Sequence, residues 1–231
     1  VPNGDVGHRA ERHLQCPVRD PALDAEVVAA GIQPGLAPRA VVVRHRPAFD
    51  QEVVLPVVTC FLVEAKGGEE GDLDRDVDIG SHLGNRIGVW SRLGARVVAM
   101  EPNPDCRPVI EILHGRRKNL TFLPVAVGAQ RGTAQLYCDP IHPTLNTLST
   151  DWIRTVKSTA PFARIHWTRT CETEVVTLDS LIHEYGIPDF CKIDVEGYEL
   201  EVLKGLSVPL PALSVEYLPS AIEEAFRCIE R

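Results

Sequence analysis

The chain lacks the features that define several large classes of protein. Its seven cysteines are odd in number and widely dispersed, and no two form a C-x-x-C pair, so they suggest neither a disulfide framework nor a zinc motif. No apolar run approaches the roughly 18 residues that a membrane-spanning helix needs. The formal net charge of -8 argues against nucleic acid as the main partner, because phosphate binding relies on clustered Lys and Arg. A reducing compartment, the cytoplasm, is the expectation.

The beginning of the chain carries little periodic signal. It lacks the basic-then-apolar layout of a signal peptide, and it starts with Val1 instead of Met, so a preceding or cleaved segment stays open. The length of 231 residues suits one well-cored domain. We expect residues 1–75 to form an arm with peripheral strands and residues 76–231 to form the main domain. Oligomerisation is left open.

Two β-branched runs within the arm predict these peripheral strands. They cover residues 40–43 and 53–63, and Pro47 and Pro56 interrupt them. Because proline is confined to edges and bulges of sheets, such strands belong at the periphery. The first 39 residues are predicted to be irregular or partly helical.

From residue 76 the pattern alternates between short apolar runs and helical periodicity. Such alternation predicts an α/β fold with a doubly wound, mostly parallel sheet that helices cover on both faces. In these sheets ligands bind beyond the carboxyl ends of the strands, near the point where the strand order reverses. The predicted strands are 77–79, 96–100, 120–127, 132–138, 173–176, 190–193 and 213–215.

Helix signals lie between these strands. Asn103 is predicted to cap one helix, with Ile110 and Leu113 on its inner face, and Thr177 to cap another. Residues 139–170 are predicted to be irregular. A loop that long inside a compact domain is usually functional or mobile.

A glycine-rich turn follows the first strand of the main domain. Asp78 lies at the strand end, and Gly80 and Gly84 follow four residues apart. Glycine permits a close backbone approach, so a flat ligand can lie against the turn. An acid there suits an ammonium-bearing ligand and would repel a pyrophosphate. Glu101 ends the next strand, where a carboxylate accepts hydrogen bonds from ribose hydroxyls. These features favour S-adenosylmethionine as the ligand.

Two alternatives stand beside S-adenosylmethionine. A nicotinamide dinucleotide requires G-x-G-x-x-G after the strand, and Gly80, Gly84 and Gly88 lack the close G-x-G pair. The other alternative is a structural turn with a merely solvated Glu101. His82 is predicted to line the pocket rather than to act as a base or a ligand.

An acidic turn follows the strand at 190–193. Alternation sends Lys192 and Asp194 to one face, so Asp194 emerges at the carboxyl end. There it is a candidate to orient a substrate hydroxyl, accept its proton or hold a divalent ion. Glu196 shares these roles, unless both acids only cap the next helix. Glu216, after the last predicted strand, is a third acid beside the cleft, but no metal ligand set can be assigned.

The sequence resembles the FkbM-type methyltransferases in five motifs, which occur in the family's order and together cover about residues 76 to 217. The resemblance implies a class I methyltransferase fold, which is Rossmann-like, and methyl transfer to a hydroxyl of a sugar, polyketide or other small metabolite. The matching stretches are V-D-I-G-x-x-x-G-N (77–85), V-A-M-E-P-N-P (98–104), P-V-A-V-G (124–128), V-T-L-D-S-L (176–181) and K-I-D-V-E-G-Y-E (192–199).

The resemblance and the residue patterns together give the candidate site. The resemblance places Ala126 and Val127 near the adenine and gives the polar segment 146–149 a place facing cofactor or substrate. The candidate catalytic residues are Asp194, Glu196 and Glu216. The candidate cofactor-binding residues are Asp78, Gly80, Ser81, His82, Gly84, Asn85, Glu101, Pro102, Asn103, Ala126 and Val127.

Three departures from the family pattern motivate rival functions. Ser81 and His82 replace the usual Ala-Asn pair, and the first 75 residues match poorly. The fold normally closes with two further strands after the fifth, and their absence would leave an open sheet edge that invites pairing with another chain. One rival is therefore a non-catalytic cofactor-binding or interaction domain, and a second is a nicotinamide-dependent oxidoreductase.

Overall fold

The computed structural model describes residues 75–218 and Glu224, Arg227 and Cys228, apart from the Pro161 side chain, and it describes four N-terminal strands by their backbone. None of the described helices is long and apolar enough to cross a membrane. The α-helices are α1 (Asn85–Leu93), α2 (Arg107–His114), α3 (Thr150–Lys157), α4 (Leu178–Tyr185) and α5 (Glu199–Lys204). The strands are β1 (Arg19–Asp20), β2 (Ala25–Val28), β3 (Arg39–Asp50), β4 (Val53–Glu64), β5 (Arg75–Ile79), β6 (Arg96–Met100), β7 (Leu120–Leu123), β8 (Ala126–Val127), β9 (Gly132–Cys138), β10 (Arg169–Val176), β11 (Phe190–Ile193) and β12 (Ala212–Tyr217).

Five parallel strands form the centre of the larger sheet. Their order is β12, β11, β5, β6 and β7, and each neighbouring pair is parallel. The chain lays down β5, β6 and β7 in one direction and then returns to place β11 on the other side of β5. The strand order therefore reverses between β5 and β11, where such sheets open a crevice for a ligand. The predicted doubly wound α/β fold is confirmed.

Successive side chains of β6 are buried on opposite faces of this sheet. Val97 and Ala99 belong to an apolar cluster that includes residues of α1 and α2. Val98 and Met100 belong to a second cluster, which includes residues of α4 and α5. Helices therefore cover both faces, which explains why the strands read as continuous apolar runs instead of alternating ones.

The N-terminal strands extend the larger sheet beyond β12. β4 pairs antiparallel with β12, and β3, β2 and β1 follow, each antiparallel to its neighbour. The open edge predicted after the fifth strand is therefore wrong, because β4 pairs with the backbone groups that an edge would expose. β3 and β4 include the two runs, 40–43 and 53–63, that predicted strands in the arm.

Both peripheral strands continue through their prolines. Pro47 and Pro56 face each other in the β3–β4 register, beyond the stretches that pair with β2 and β12. Neither proline therefore has to donate to a second neighbouring strand. The short strands β1 and β2 lie in the arm that was predicted to be irregular or partly helical, and its remaining residues lie outside the described part of the chain.

Two stretches of the main domain differ from their sequence prediction. The single strand predicted at 120–127 is divided, because β7 joins the larger sheet and β8 joins β10 and β9 in a second, three-stranded sheet. Pro124 stands between them and cannot donate a ladder hydrogen bond. The segment 139–170, predicted to be irregular, contains α3, which begins where the Ser149 hydroxyl accepts the amide of Trp152 at 3.0 Å.

The buried stripe of α2 is narrower than predicted. Ile110 is fully buried, and with His114 one turn later it forms the inner face of the helix. Leu113, predicted to face inward, is 59% exposed. The helix begins at Arg107, and Cys106 rather than Asn103 is its N-cap residue.

Ile110→Ala tests this orientation. Removing the side chain leaves a cavity between α2 and the sheet, and we expect the free energy of unfolding to fall by about 2 to 5 kcal/mol. Ile112→Ala in the same helix is the control, because Ile112 is 82% exposed and its loss should stay within about 0.5 kcal/mol. Urea unfolding measures both, and equal effects would contradict the orientation of α2.

Candidate active site

A cleft of about 930 Å³ opens at the carboxyl ends of β5 and β11. That volume lies within the range of pockets that hold small ligands and cofactors, roughly 300 to 1,000 Å³. The cleft is lined by the turn after β5, the start of the loop after β6, the acidic turn after β11 and residues 141–148. It lies where the strand order reverses, as the fold class predicts.

The turn after β5 lies directly against the chain that leaves β11. Gly80 has a φ of 76°, and a Cβ atom there would overlap the carbonyl oxygen of Asp194. The amide of Asp194 donates to the carbonyl of Ile79 at 3.1 Å. Glycine tolerates both the positive φ and the close approach. Gly80 therefore allows the two strand ends to share one cleft.

Three side chains at this turn have buried polar atoms without hydrogen-bond partners among the described residues. Asp78 is 1% exposed, and neither of its carboxylate oxygens has such a partner among the described residues. The hydroxyl oxygen of Ser81 and the Nε2 atom of His82 are also buried and have no such partner among these residues. Each unpaired buried polar group costs about 1 to 3 kcal/mol. Three side chains with unpaired polar atoms at one turn indicate a place where a ligand would complete their hydrogen bonds.

Glu101 ties this turn to the loop after β6. Its Oε2 atom accepts the amide of His82 at 2.8 Å, and its Oε1 atom accepts the amide of Asn103 at 2.8 Å. Burial raises the pKa of Glu101 to about 7, although these two hydrogen bonds act to lower it. Each carboxylate oxygen has a second acceptor position, so Glu101 keeps capacity for a ligand.

Five charged side chains connect the turn to the ends of β11 and β12. The Nζ atom of Lys192 lies 2.7 Å from Asp194 Oδ2 and 3.8 Å from Asp78 Oδ1. Arg86 of α1 lies 3.1 Å from Glu216 Oε1. Burial acts to raise the pKa of Asp194, but its neighbours, with Lys192 first, hold it below its ordinary value. Burial and the charge of Asp194 raise the pKa of Glu216 to about 7, so Asp194 is the more acidic of these two carboxyl groups.

The acidic turn after β11 holds Glu196 in an unusual backbone conformation. Its φ is 52°, in the left-handed region that residues with a Cβ seldom adopt. The Thr147 hydroxyl donates to the Glu196 carbonyl at 2.6 Å, and Glu199 accepts the amides of Val195 and Gly197 at 3.1 Å each. Burial, followed by the charges of nearby acids, raises the pKa of Glu196 well above its ordinary value. Strain that several contacts maintain is typical of functional sites.

The segment between β9 and β10 forms another wall of the cleft and supports the acidic turn. Asp139 is buried and accepts the amides of Ile141 at 2.7 Å and His166 at 2.9 Å, which ties the two ends of the segment together. The Trp152 ring of α3 packs onto Gly197, where a Cβ atom would overlap it. The segment 139–170 is therefore in contact with the candidate catalytic turn.

Most of the residues predicted from the sequence line the cleft, and their roles stay predictions. Gly84 and Asn103 are not lining residues. Gly84 precedes α1 as its N-cap residue, and the Asn103 side chain accepts the amide of Asp105. All three predicted catalytic acids line the cleft. The lining residues from both predicted sets are Asp78, Gly80, Ser81, His82, Asn85, Glu101, Pro102, Ala126, Val127, Asp194, Glu196 and Glu216.

The predicted sets omitted several lining residues, among them Lys192, Arg86 and Thr147. The sequence analysis placed Lys192 on the same strand face as Asp194 but gave it no role in the site. That shared face is the sequence signal by which Lys192 could have been found. Arg86 lies 130 positions from the acid that it pairs with, and no local pattern connects the two. Thr147 belongs to the polar segment 146–149, of which residues 146–148 line the cleft.

Three of the acids that line the cleft lie near cations of the chain itself. Lys192 bridges toward Asp78 and Asp194, and Arg86 pairs with Glu216. Among the residues that the structure describes, no group of three or more His, Cys, Asp or Glu side chains is arranged to hold a metal ion. No ligands are therefore assigned to the divalent ion considered from the sequence.

Comparison with known proteins identifies the family. The model of the FkbM methyltransferase domain matches residues 78–225, more than half of the chain. The chain belongs to this family. This FkbM methyltransferase is similar to the hexuronic acid methyltransferase AglP of Haloferax volcanii, with 29% identity over 163 residues. The match covers 68% of this chain and 58% of that relative's length. No solved structure matches the chain. The resemblance found in the motifs is confirmed.

Gly197→Ala tests the contact between α3 and the acidic turn. Gly197 has a φ of 82°, so alanine adds backbone strain of about 1 to 2 kcal/mol and also clashes with Trp152. We expect a loss of stability at least that large in urea unfolding. The control is Gly132→Ala, because a Cβ there meets no atom within 4 Å and the φ is not positive. A neutral Gly197→Ala variant would contradict this packing.

Proposed function

We propose that this methyltransferase transfers a methyl group from S-adenosylmethionine to a hydroxyl oxygen of a small acceptor, with a sugar as the leading class. The family supports methyl transfer. One observation carries the rest: Asp78, a buried carboxylate without hydrogen-bond partners among the described residues, shares a cleft with Asp194, whose neighbours hold its pKa below the ordinary value. The first suits a cationic ligand, and the second suits a hydroxyl group.

The glycine-rich turn fits S-adenosylmethionine by its charge and by its unfilled hydrogen bonds. When bound, this cofactor supplies an activated methyl group on a positively charged sulfur. Asp78 would accept hydrogen bonds from the ammonium group of the cofactor, and the unpartnered atoms of Ser81 and His82 would complete the contacts at that end. Burial lowers the pKa of His82, so the ring is neutral at physiological pH and does not repel a cationic ligand.

The opposite side of the turn fits the nucleoside part of the cofactor. Glu101 keeps acceptor positions for the two ribose hydroxyls after binding the amides of His82 and Asn103. Ala126 and Val127 are buried, line the cleft and offer an apolar surface to the adenine ring. These contacts agree with the roles that the family resemblance implies.

The residues at the acceptor end can orient and activate a hydroxyl. Asp194 is ionised and accepts hydrogen bonds, so it can hold the hydroxyl and receive its proton as the oxygen attacks. Glu196 and Glu216 line the same space and can accept further hydroxyls of a polyol. Phe162 and Leu218 add apolar walls, which favour exclusion of water and correct positioning.

A sugar is the leading acceptor class for two reasons. Several carboxyl groups line the cleft, and together they match the several hydroxyls of a sugar ring. The relative AglP is named a hexuronic acid methyltransferase, which supports a carbohydrate acceptor for this chain as well.

Asp78→Asn tests the cofactor. Asparagine keeps the shape but loses the charge, so calorimetric titration should show S-adenosylmethionine binding roughly tenfold to a hundredfold weaker than in the wild type. Asp151→Asn is the control, because the Asp151 side chain is 82% exposed on α3 and should leave affinity unchanged. NAD should not bind. A folded wild type that binds no S-adenosylmethionine would sink the proposal and favour a non-catalytic domain.

Asp194→Asn tests the acceptor end. Loss of the proton acceptor should lower methyl transfer by about 10²- to 10⁴-fold, while affinity for S-adenosylmethionine changes less than about threefold. Transfer of labelled methyl to a panel of neutral sugars and uronic acids measures the first quantity, and calorimetry measures the second. An equal loss of cofactor binding would assign Asp194 to the cofactor instead.

A further inference from the structure

We propose that Lys192 is a positioning residue that holds Asp194 in its ionised form at the acceptor end of the cleft. The inference rests on the proposed function, because an ionised Asp194 matters only if it receives a proton from the acceptor. Lys192 does not itself touch the acceptor in this account; it acts through Asp194.

The sheet register places Lys192 between two acids. Lys192 on β11 is the direct neighbour of Asp78 on the parallel strand β5. Asp194 follows two positions later along the chain, so strand alternation directs it to the same face. The resulting distances are 2.7 Å from Nζ to Asp194 Oδ2 and 3.8 Å to Asp78 Oδ1. The closer acid, at hydrogen-bond distance, is the one on the acceptor side.

The bond to Asp194 joins a buried lysine to a carboxylate whose side chain is 26% exposed. Lys192 is only 4% exposed. Burial disfavours the charged form of an ammonium group, yet Asp194 and Asp78 keep the pKa of Lys192 above its ordinary value. A charged lysine in a weakly screened site acts strongly on a carboxylate 2.7 Å away. This contact is the largest of the causes that lower the pKa of Asp194, which lies among other acids.

Lys192 has the largest effect among the groups that lower the pKa of Asp194. The hydrogen bond with Glu216 of β12 and the charge of Arg86 act in the same direction but less strongly. Asp78, Glu196 and Glu199 are further acids nearby, and their negative charges do not favour a second ionised carboxylate. Neutral His82 and the buried Glu101 face the same space. The remaining cation near Asp194, Arg86 of α1, is 3.1 Å from Glu216.

Lys192→Met tests the proposal through the pH dependence of turnover. A carboxylate must be ionised to accept a proton, so activity falls as the pH drops through the pKa of Asp194. Without the ammonium group that pKa rises, and the acid limb of the kcat profile should move upward by at least about one pH unit. Lys192→Arg keeps the charge and should largely restore the wild-type limb.

Two outcomes separate positioning from a merely structural role. Lys204→Met is the matched control, because Lys204 is an exposed lysine of α5 paired with Glu201, and its profile should equal that of the wild type. A Lys192→Met variant with a reduced kcat but an unmoved acid limb would overturn the proposal.

A second measurement needs neither turnover nor cofactor. A ¹³C carboxyl NMR titration of the unliganded wild type, with the Asp194 signal assigned from Asp194→Asn, should show Asp194 titrating below the ordinary range of aspartate. Titration within or above that range would overturn the proposal even if Lys192→Met does not fold. Absence of methyl transfer by the wild type would instead defeat the proposed function, and the titration would still decide whether Lys192 sets the ionisation of Asp194.

Discussion

The rest of the site depends on how closely the ends of β5 and β11 approach each other. The Asp194 carbonyl occupies the place where a side chain at Gly80 would begin, and the Asp194 amide donates to β5. That contact brings one carboxylate from each strand, Asp78 and Asp194, to the two sides of Lys192. The turn proposed to bind the cofactor and the turn proposed to bind the acceptor thus lie at one cleft, as in-line transfer between two ligands would require.

The close approach of the ends of β5 and β11 also brings several acidic groups together, and their pKa values are shifted in different directions. Asp194 is paired with a lysine, whereas Glu101, Glu199 and Glu216 have pKa values raised to about 7, chiefly by burial. A carboxyl group with a raised folded pKa favours the folded state most at low pH, and this contribution is lost as the pH rises toward 7. These three carboxyl groups therefore reduce the stability of the folded state near neutral pH relative to low pH.

The main-domain fold could be predicted because its signals are local. Period-2 and period-3.6 apolar patterns, the cap at Thr177 and the glycine turn at Gly80 each act within a few residues. The prediction of one strand at 120–127 was wrong because membership of a sheet is not local. Pro124 marked the break, but which sheet would receive each half depended on distant strands. The pairing of β4 with β12 was missed for the same reason, since these strands lie far apart along the chain.

The sequence by itself determined most of the alternation of strands and helices in the main domain, the glycine turn, and the acids at the ends of β5, β6, β11 and β12. These follow from residue type and spacing, because strand alternation and turn chemistry act over short distances. Only the tertiary structure decided which of those acids are paired. The partner of Glu216 is Arg86, 130 positions away, and the support of Glu196 by Thr147 spans 49 positions. Charge pairing depends on distance in space and on burial, and neither is fixed until the sheet and its helices have packed.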